Sequence, residues 1–251
     1  MDREQMPHES DGKLEPGSIT THSRVLKWLD NYWYHYKWHT IIGLFAAVVL
    51  IMGIVQMISR PKYDTMMVCA NPYRMSDEEK AAFDGVLSKI CPEDFDGNGK
   101  KNVNLVTYQI YSDAELQAEK EAAEVAGDEY YYNAQFLAEE RKNFSSFTQT
   151  GEGAVCLISR HLYEQLISTD PIRLRPISDL YPDGNLPDGV TEEGYGITLG
   201  ETDFYIYHAE VQVLSEDLII CLLKPTLVGG DKTGYAHAEA FFKALAEYRV
   251  G

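Results

Sequence analysis

The 251-residue sequence predicts an α/β protein, with one N-terminal transmembrane helix followed by a mixed-sheet α/β domain. Two observations carry this expectation. Ile41–Ile58 is an apolar run without a single charge. Beyond residue 62, short apolar runs of strand length alternate with segments whose apolar residues recur at helical spacing. The expected organisation is a disordered cytoplasmic tail over 1–22, a juxtamembrane and transmembrane helix over 23–60, and an extracytoplasmic α/β domain over 63–251. No internal repeat is found.

Residues 1–20 are polar, with Pro7, Pro16 and several Gly and Ser, the composition of a disordered tail. From about Ser23 the residues Val25, Leu29, Tyr32 and Tyr36 recur every three or four positions, which predicts a helix running on into the span. From Trp38 to Met57 a helix rising about 1.5 Å per residue covers the roughly 30 Å of a bilayer's hydrocarbon core. All three tryptophans, Trp28, Trp33 and Trp38, precede the apolar run, with Tyr32, Tyr34 and Tyr36 among them. Rings with an apolar body and a polar tip favour the membrane interface, so the bilayer is the first expected partner. His35 and His39 in this collar read as interfacial polar residues. Gly43-x-x-x-Ala47 is a weak small-residue pair for helix contact.

Arg24, Lys27 and Lys37 precede the span and Arg60 and Lys62 follow it, a narrow bias for a cytoplasmic N-terminus. About 40 residues come before the apolar run and no A-x-A site follows, so the expectation is an uncleaved anchor.

Pro61 is expected to end the helix and Asp64–Ala70 to form the first strand. Ser76 and Glu79 make a capping box for a helix with Phe83, Val86, Leu87 and Ile90 on its buried stripe, stopped at Cys91-Pro92. A Gly/Asp/Asn loop over Glu93–Asn102 precedes a strand over Val103–Tyr111. Residues 113–127 read as an exposed acidic helix, broken by Asp128–Tyr132. The three tyrosines there, Tyr130, Tyr131 and Tyr132, read as helix-end residues half-buried on the core. A helix over Asn133–Thr148 is expected to bury Leu137, Phe144 and Phe147. Gly151-Glu152-Gly153 then turns into the strand Ala154–Ile158, and a helix follows to Ser168. Residues 169–200 read as loop pinned by Ile177–Leu180. Asp203–His208 and Leu218–Leu223 read as strands, and Ala238, Phe241, Phe242, Leu245 and Tyr248 share one face of a closing helix.

Charge is unevenly spread. Residues 1–62 hold seven Lys/Arg against six Asp/Glu, and the rest of the chain fifteen against thirty-three. An acidic domain is a poor match for nucleic acid, where phosphate contacts need clustered cations. Cys69, Cys91, Cys156 and Cys221 show no metal or redox spacing. They read as small buried hydrophobes, with a disulfide left open outside the cell.

The sharpest motif is Asp94-Phe95-Asp96-Gly97-Asn98-Gly99-Lys100-Lys101-Asn102, the opening of a calcium loop, D-x-[DN]-x-[DN]-G. Oxygens of Asp94, Asp96 and Asn98, the carbonyl of Lys100 and a side chain or water at Asn102 would converge on one Ca²⁺. Leu105 stands where an EF-hand needs a bidentate Glu, so a further carboxylate must come from elsewhere, with Asp113 or Glu115 as donors. His208-Ala-Glu210 and His237-Ala-Glu239 lack the P-C-x-x-C of a zinc deaminase. No H-E-x-x-H, G-x-S-x-G, Walker A or G-x-G-x-x-G motif occurs, and no catalytic residue is nominated.

The order of strand, helix, Asp-rich loop and strand, then Phe144-x-x-Phe147-x-x-x-Gly151-Glu152-Gly153 into Ala154–Ile158, resembles the extracellular solute-binding proteins of type 2. Leu218–Pro225 and the closing helix add to it. The whole chain is similar to single-pass membrane proteins of Gram-positive bacteria that carry such a domain. The resemblance covers 64–250 and implies a reduced periplasmic-binding-protein-like fold and a small solute as partner, with no ligand residue carried over. Two functions are therefore expected. One is a membrane-anchored, solute-binding-like module, calcium-stabilised. The other is a non-enzymatic interaction or scaffold subunit with a membrane-protein partner in a cell-envelope complex.

Overall fold

The computed structural model describes residues 24–58, 62–127, 132–150, 154–225 and 232–249. The expectations for the 1–22 tail, Pro61, Tyr130, Tyr131 and Gly151–Gly153 lie outside the described residues. Contacts divide the chain into two units, Met1–Pro61 and Lys62–Gly251.

In the first unit, α1 runs unbroken over Arg24–Ile58. Its stretch Asn31–Met57 is long and apolar enough to cross a membrane, and none of that window is buried by protein. The N-terminal part carries a stacked aromatic ladder. Trp28 and Tyr32 lie 5.5 Å apart, Tyr32 and Tyr36 5.4 Å, and the Tyr32 and Thr40 hydroxyls share a 3.0 Å hydrogen bond. The spacing of four residues that suggests a helix is the spacing that stacks these rings.

In the second unit, five strands among the described residues form one mixed sheet. They are β1 (Thr65–Asn71), β2 (Val103–Gln109), β3 (Ala154–Ile158), β4 (Gly196–Thr198) and β5 (Ile219–Leu223), in the order β2-β1-β3-β5-β4. β1 pairs parallel with both β2 and β3, and β5 runs antiparallel between β3 and β4. Every residue of β3 and β5 is buried, which is why both read as continuous apolar runs rather than alternating ones.

Helices cover both faces. On one, Met67, Cys69, Leu157 and Ile220 meet α2 (Asp77–Ile90) and α8 (Lys232–Ala246). On the other, Val68, Cys156, Ile158 and Cys221 meet α4 (Ala134–Thr150) and α5 (Arg160–Thr169). The expected stripe of α2 is the buried one, Phe83, Val86, Leu87 and Ile90. Its capping box is formed: the Glu79 N–H donates to Ser76 Oγ at 3.2 Å and the Ser76 N–H to Glu79 Oε2 at 2.8 Å. α3 (Asp113–Ala126) has its own box through Ser112 and Glu115 and buries none of its residues. α6 is the single turn Ile177–Leu180, with both end residues buried.

The structure corrects several expectations. Asp203–His208 is not a strand. Asp203–Tyr207 forms the short helix α7. Its aromatic and β-branched residues read as strand, but Thr202 Oγ1 accepts the Tyr205 N–H and starts a helical turn. Only Phe204 is buried, and Ile206 and Tyr207 stay exposed, so a strand here would gain no burial. Within the expected loop 169–200, β4 pairs with β5. Three residues are too few to show an alternation. Of the residues expected inside α4, only Phe144 is buried, and Leu137 and Phe147 are half-buried. Tyr248 packs on the core from beyond the end of α8.

Gly196 lets the edge strand approach closely. A Cβ there would collide with Ile219 Cγ2 and lie 3.1 Å from the Tyr163 ring. Gly196→Ala is expected to destabilise the domain by about 1–3 kcal/mol, read as a lower urea midpoint at unchanged slope.

Candidate functional site

The Asp-rich loop begins where Pro92 stops α2 and ends where Asn102 leads into β2. Its side chains fold back onto its own backbone. Asp94 Oδ1 accepts from the Asn98 N–H at 3.1 Å and Oδ2 from the Gly99 N–H at 2.6 Å. Asp96 accepts from the Asn98 N–H at 2.9 Å and from Asn98 Nδ2 at 2.7 Å. Asn98 Oδ1 accepts from the Lys100 N–H at 2.8 Å. Gly97 takes a φ of 69°, the left-handed conformation that side chains other than Gly, Asn and Asp resist.

A residue the motif does not contain holds this loop to the sheet. β1 starts at Thr65, one residue later than expected, and leaves Asp64 free of the strand. Asp64 is 4% exposed. Its Oδ1 accepts from the N–H groups of Phe95 (2.6 Å) and Asp96 (3.1 Å), and its Oδ2 from that of Asn102 (2.7 Å). Its own N–H donates to the Asn102 carbonyl at 2.8 Å. The Lys101 ammonium donates to the carbonyls of Cys91 and Pro92, closing the other side of the loop. Phe95 stacks flat on His237 of α8, ring centres 4.0 Å apart.

One carboxylate oxygen each from Asp64, Asp94 and Asp96 lies within 4.8 Å of the others, and this group could hold a metal ion. Three carboxylates suit a hard divalent cation that takes oxygen ligands. Of the residues nominated from the sequence, Asp94 and Asp96 come together in this cluster, and the third carboxylate is that of Asp64, not of Asp113 or Glu115. Asp113 stands in the first turn of α3, beyond the opposite end of β2, and Glu115 caps that helix by accepting the Ser112 N–H at 2.6 Å. Asn98 and Lys100 sit in the loop as expected. Asn102 is tied through its backbone to Asp64, and its side-chain amide donates to the Lys62 carbonyl at 3.5 Å. The overlooked signal is an Asp standing directly before an apolar strand.

Burial of the Asp94 carboxyl favours its protonated form. The N–H bonds from Gly99 and Asn98, with the contact to Asp96, outweigh that and hold its pKa below the usual carboxylate range.

The other nominated residues are not part of this cluster. Trp28, Trp33 and Trp38 are exposed on α1. The four cysteines are free and buried. Burial pushes the Cys69 thiol to about 12, and Cys156 is raised by its neighbour Cys221 and by burial, so both are structural thiols. His208 lies against Phe204 and Tyr248, and its Nε2 is buried without a partner.

A second feature is a groove of about 390 Å³ between α4 and α5. Phe144, Leu162 and Leu166 give it an apolar lining, and Arg141, Gln165 and Arg173 a polar one. The Nε and Nη2 atoms of Arg173 are buried without an acceptor. Tyr132 lines two smaller hollows of about 240 and 220 Å³.

No family model, curated protein or solved structure matches the chain.

Two outcomes follow from the loop. Asp64→Ala, measured in chelator so that no cation contributes, leaves three N–H groups without their acceptor and should cost about 3 kcal/mol in urea unfolding. The lowered Asp94 pKa gives stability that is fully present above the unfolded value of about 3.9 and is lost as pH falls through the folded value. Amide exchange at Asn98 and Gly99 should accelerate below that pH ahead of exchange in β1.

Proposed function

We propose that the chain is a membrane-anchored, extracytoplasmic binding module of the solute-binding type, reduced to one lobe and stabilised by calcium. The groove between α4 and α5 is the observation that carries this reading. It has an apolar lining and a few polar groups set around it, the composition of small-molecule sites.

The α1 helix supports an anchor. The cations before the span, Arg24, Lys27 and Lys37, favour a cytoplasmic N-terminus and an external domain. A five-stranded mixed sheet with helices on both faces is compatible with one lobe of a type 2 solute-binding protein. A single sheet offers no facing lobe to close over a ligand, so the solute sits in the groove on the helix layer.

Calcium belongs in the Asp64–Asp94–Asp96 cluster. The loop lacks the bidentate Glu of an EF-hand and is partly exposed, which suits a weak site. Extracellular modules bind calcium at about 10⁻⁴–10⁻³ M, so weak affinity is sufficient outside the cell.

The alternative is an interaction or scaffold subunit. α3 favours it, since the helix buries none of its own residues and leaves Val125 90% exposed. On that reading a protein partner covers α3.

The melting temperature of the full chain in nanodiscs separates these readings. Calcium at about a hundred times its dissociation constant should add roughly 2.7 kcal/mol, a rise of several degrees over chelator. Asp96→Ala should abolish that rise. A further rise with amino acids, short-chain acids or sugars supports the binding module. Without a calcium rise the loop is a turn only, and without any solute effect the scaffold reading replaces the first.

A further inference from the structure

Arg173 follows α5 in a turn whose backbone is clamped at both ends. Its N–H donates to the Asp170 carbonyl at 3.1 Å, and its carbonyl accepts the Lys224 N–H at 2.7 Å. The next residue, Leu174, is fully buried and bridges to Leu223 at the end of β5. The side chain of Arg173 therefore leaves a fixed point on the groove wall.

Its guanidinium is left incomplete by the protein. Nε and Nη2 are buried and meet no acceptor, although buried N–H groups are nearly always paired. These two nitrogens share one edge of the planar group. Their N–H bonds run parallel at the spacing of the two oxygens of a carboxylate, the arrangement that makes Arg bidentate.

The nearby groups leave this edge unused. Asp170 lines the same groove but forms no ion pair with Arg173 among the described residues. Arg141, the other cation of the lining, already donates from Nη2 to the Tyr111 carbonyl at 2.7 Å. With Arg141 and Arg173 against Asp170, the lining carries one net positive charge. That balance matches a monoanion or a zwitterion better than a dianion.

We propose that the groove binds a small monocarboxylate, held side-on by Nε and Nη2 of Arg173. The ligand's apolar part lies on Phe144, Leu162 and Leu166, and Gln165 offers a neutral hydrogen-bonding group. On this proposal the ligand engages the edge after a turn about the last torsions of the Arg173 side chain, since Nε and Nη2 are buried in the free protein. This assignment rests on the groove being a solute site, as proposed above, and adds the chemical class.

The test uses ligand-observed NMR on the full chain in nanodiscs. The probes are propionate and L-alanine, with propionamide and glucose as uncharged counterparts. Propionate or L-alanine should bind at least tenfold more tightly than propionamide, a comparison that needs no variant. Arg173→Lys keeps the charge but loses the fork, and should weaken carboxylate binding at least tenfold with little change in melting temperature. Arg173→Gln should abolish the preference over propionamide. Equal binding of propionate and propionamide overturns the carboxylate assignment and leaves a groove that binds neutral solutes, and unchanged propionate binding by both variants overturns the assignment to Arg173. If none of the four probes binds, the carboxylate assignment is overturned, and the solute reading of the groove fails with it.

Discussion

Within the folded unit, β1 is the strand on which the other elements are placed. It pairs with β2 on one edge and β3 on the other, so it has no free edge. Its residues alternate between the two faces: Met67 and Cys69 go to one layer, Val68 and Ala70 to the other. A parallel central strand of this kind must be covered by helices on both sides. The connections supply them: α2 joins β1 to β2 and packs on one face, and α4 precedes β3 and packs on the other. The loop that carries the Asp cluster leads from α2 into β2, and Asp64, at the start of β1, is the group that fixes it.

Much of this was legible wherever one segment held its own signal. The Ser76–Glu79 box and the Phe83, Val86, Leu87 and Ile90 spacing defined α2 down to its buried face. Ala154–Ile158 showed as a strand because burial on both sides demands an unbroken apolar run. The failures came where a cap outweighed strand-like composition or where the deciding interaction was remote. Asp203–Tyr207 has strand-like composition, but a cap at Thr202 and the exposure of Ile206 and Tyr207 made it helical. Asp64 meets its loop across 31 to 38 residues, a distance no local pattern spans. Arg173 lay in a Pro-containing loop, and only the folded groove shows that two of its donors lack acceptors.

The two candidate sites differ in how complete they are without a ligand. In the Asp-rich loop, backbone N–H groups already occupy the carboxylates, so the turn holds its shape by itself. A cation would add charge neutralisation to a conformation that exists before it binds, which lowers the ordering cost of binding. In the groove the unmet groups are donors, and the missing partner is an acceptor. The two sites therefore ask for opposite charges, and neither ligand competes for the other's position.

The antiparallel strand β5 has a consequence for biogenesis. It is the last of the five strands in sequence yet sits inside the sheet, between β3 and β4. Its register partners Cys156 and Cys221 stand 65 positions apart, a long-range pairing that closes slowly. Until residue 223 has been made, β3 lacks its antiparallel partner and β4 has no strand to pair with, and α8 follows later still. The domain thus cannot complete its core while its leading part is being synthesised. A sheet built in this order stays open at the β3 edge until β5 arrives. The last-made inner strand thus sets the moment at which the fold can close.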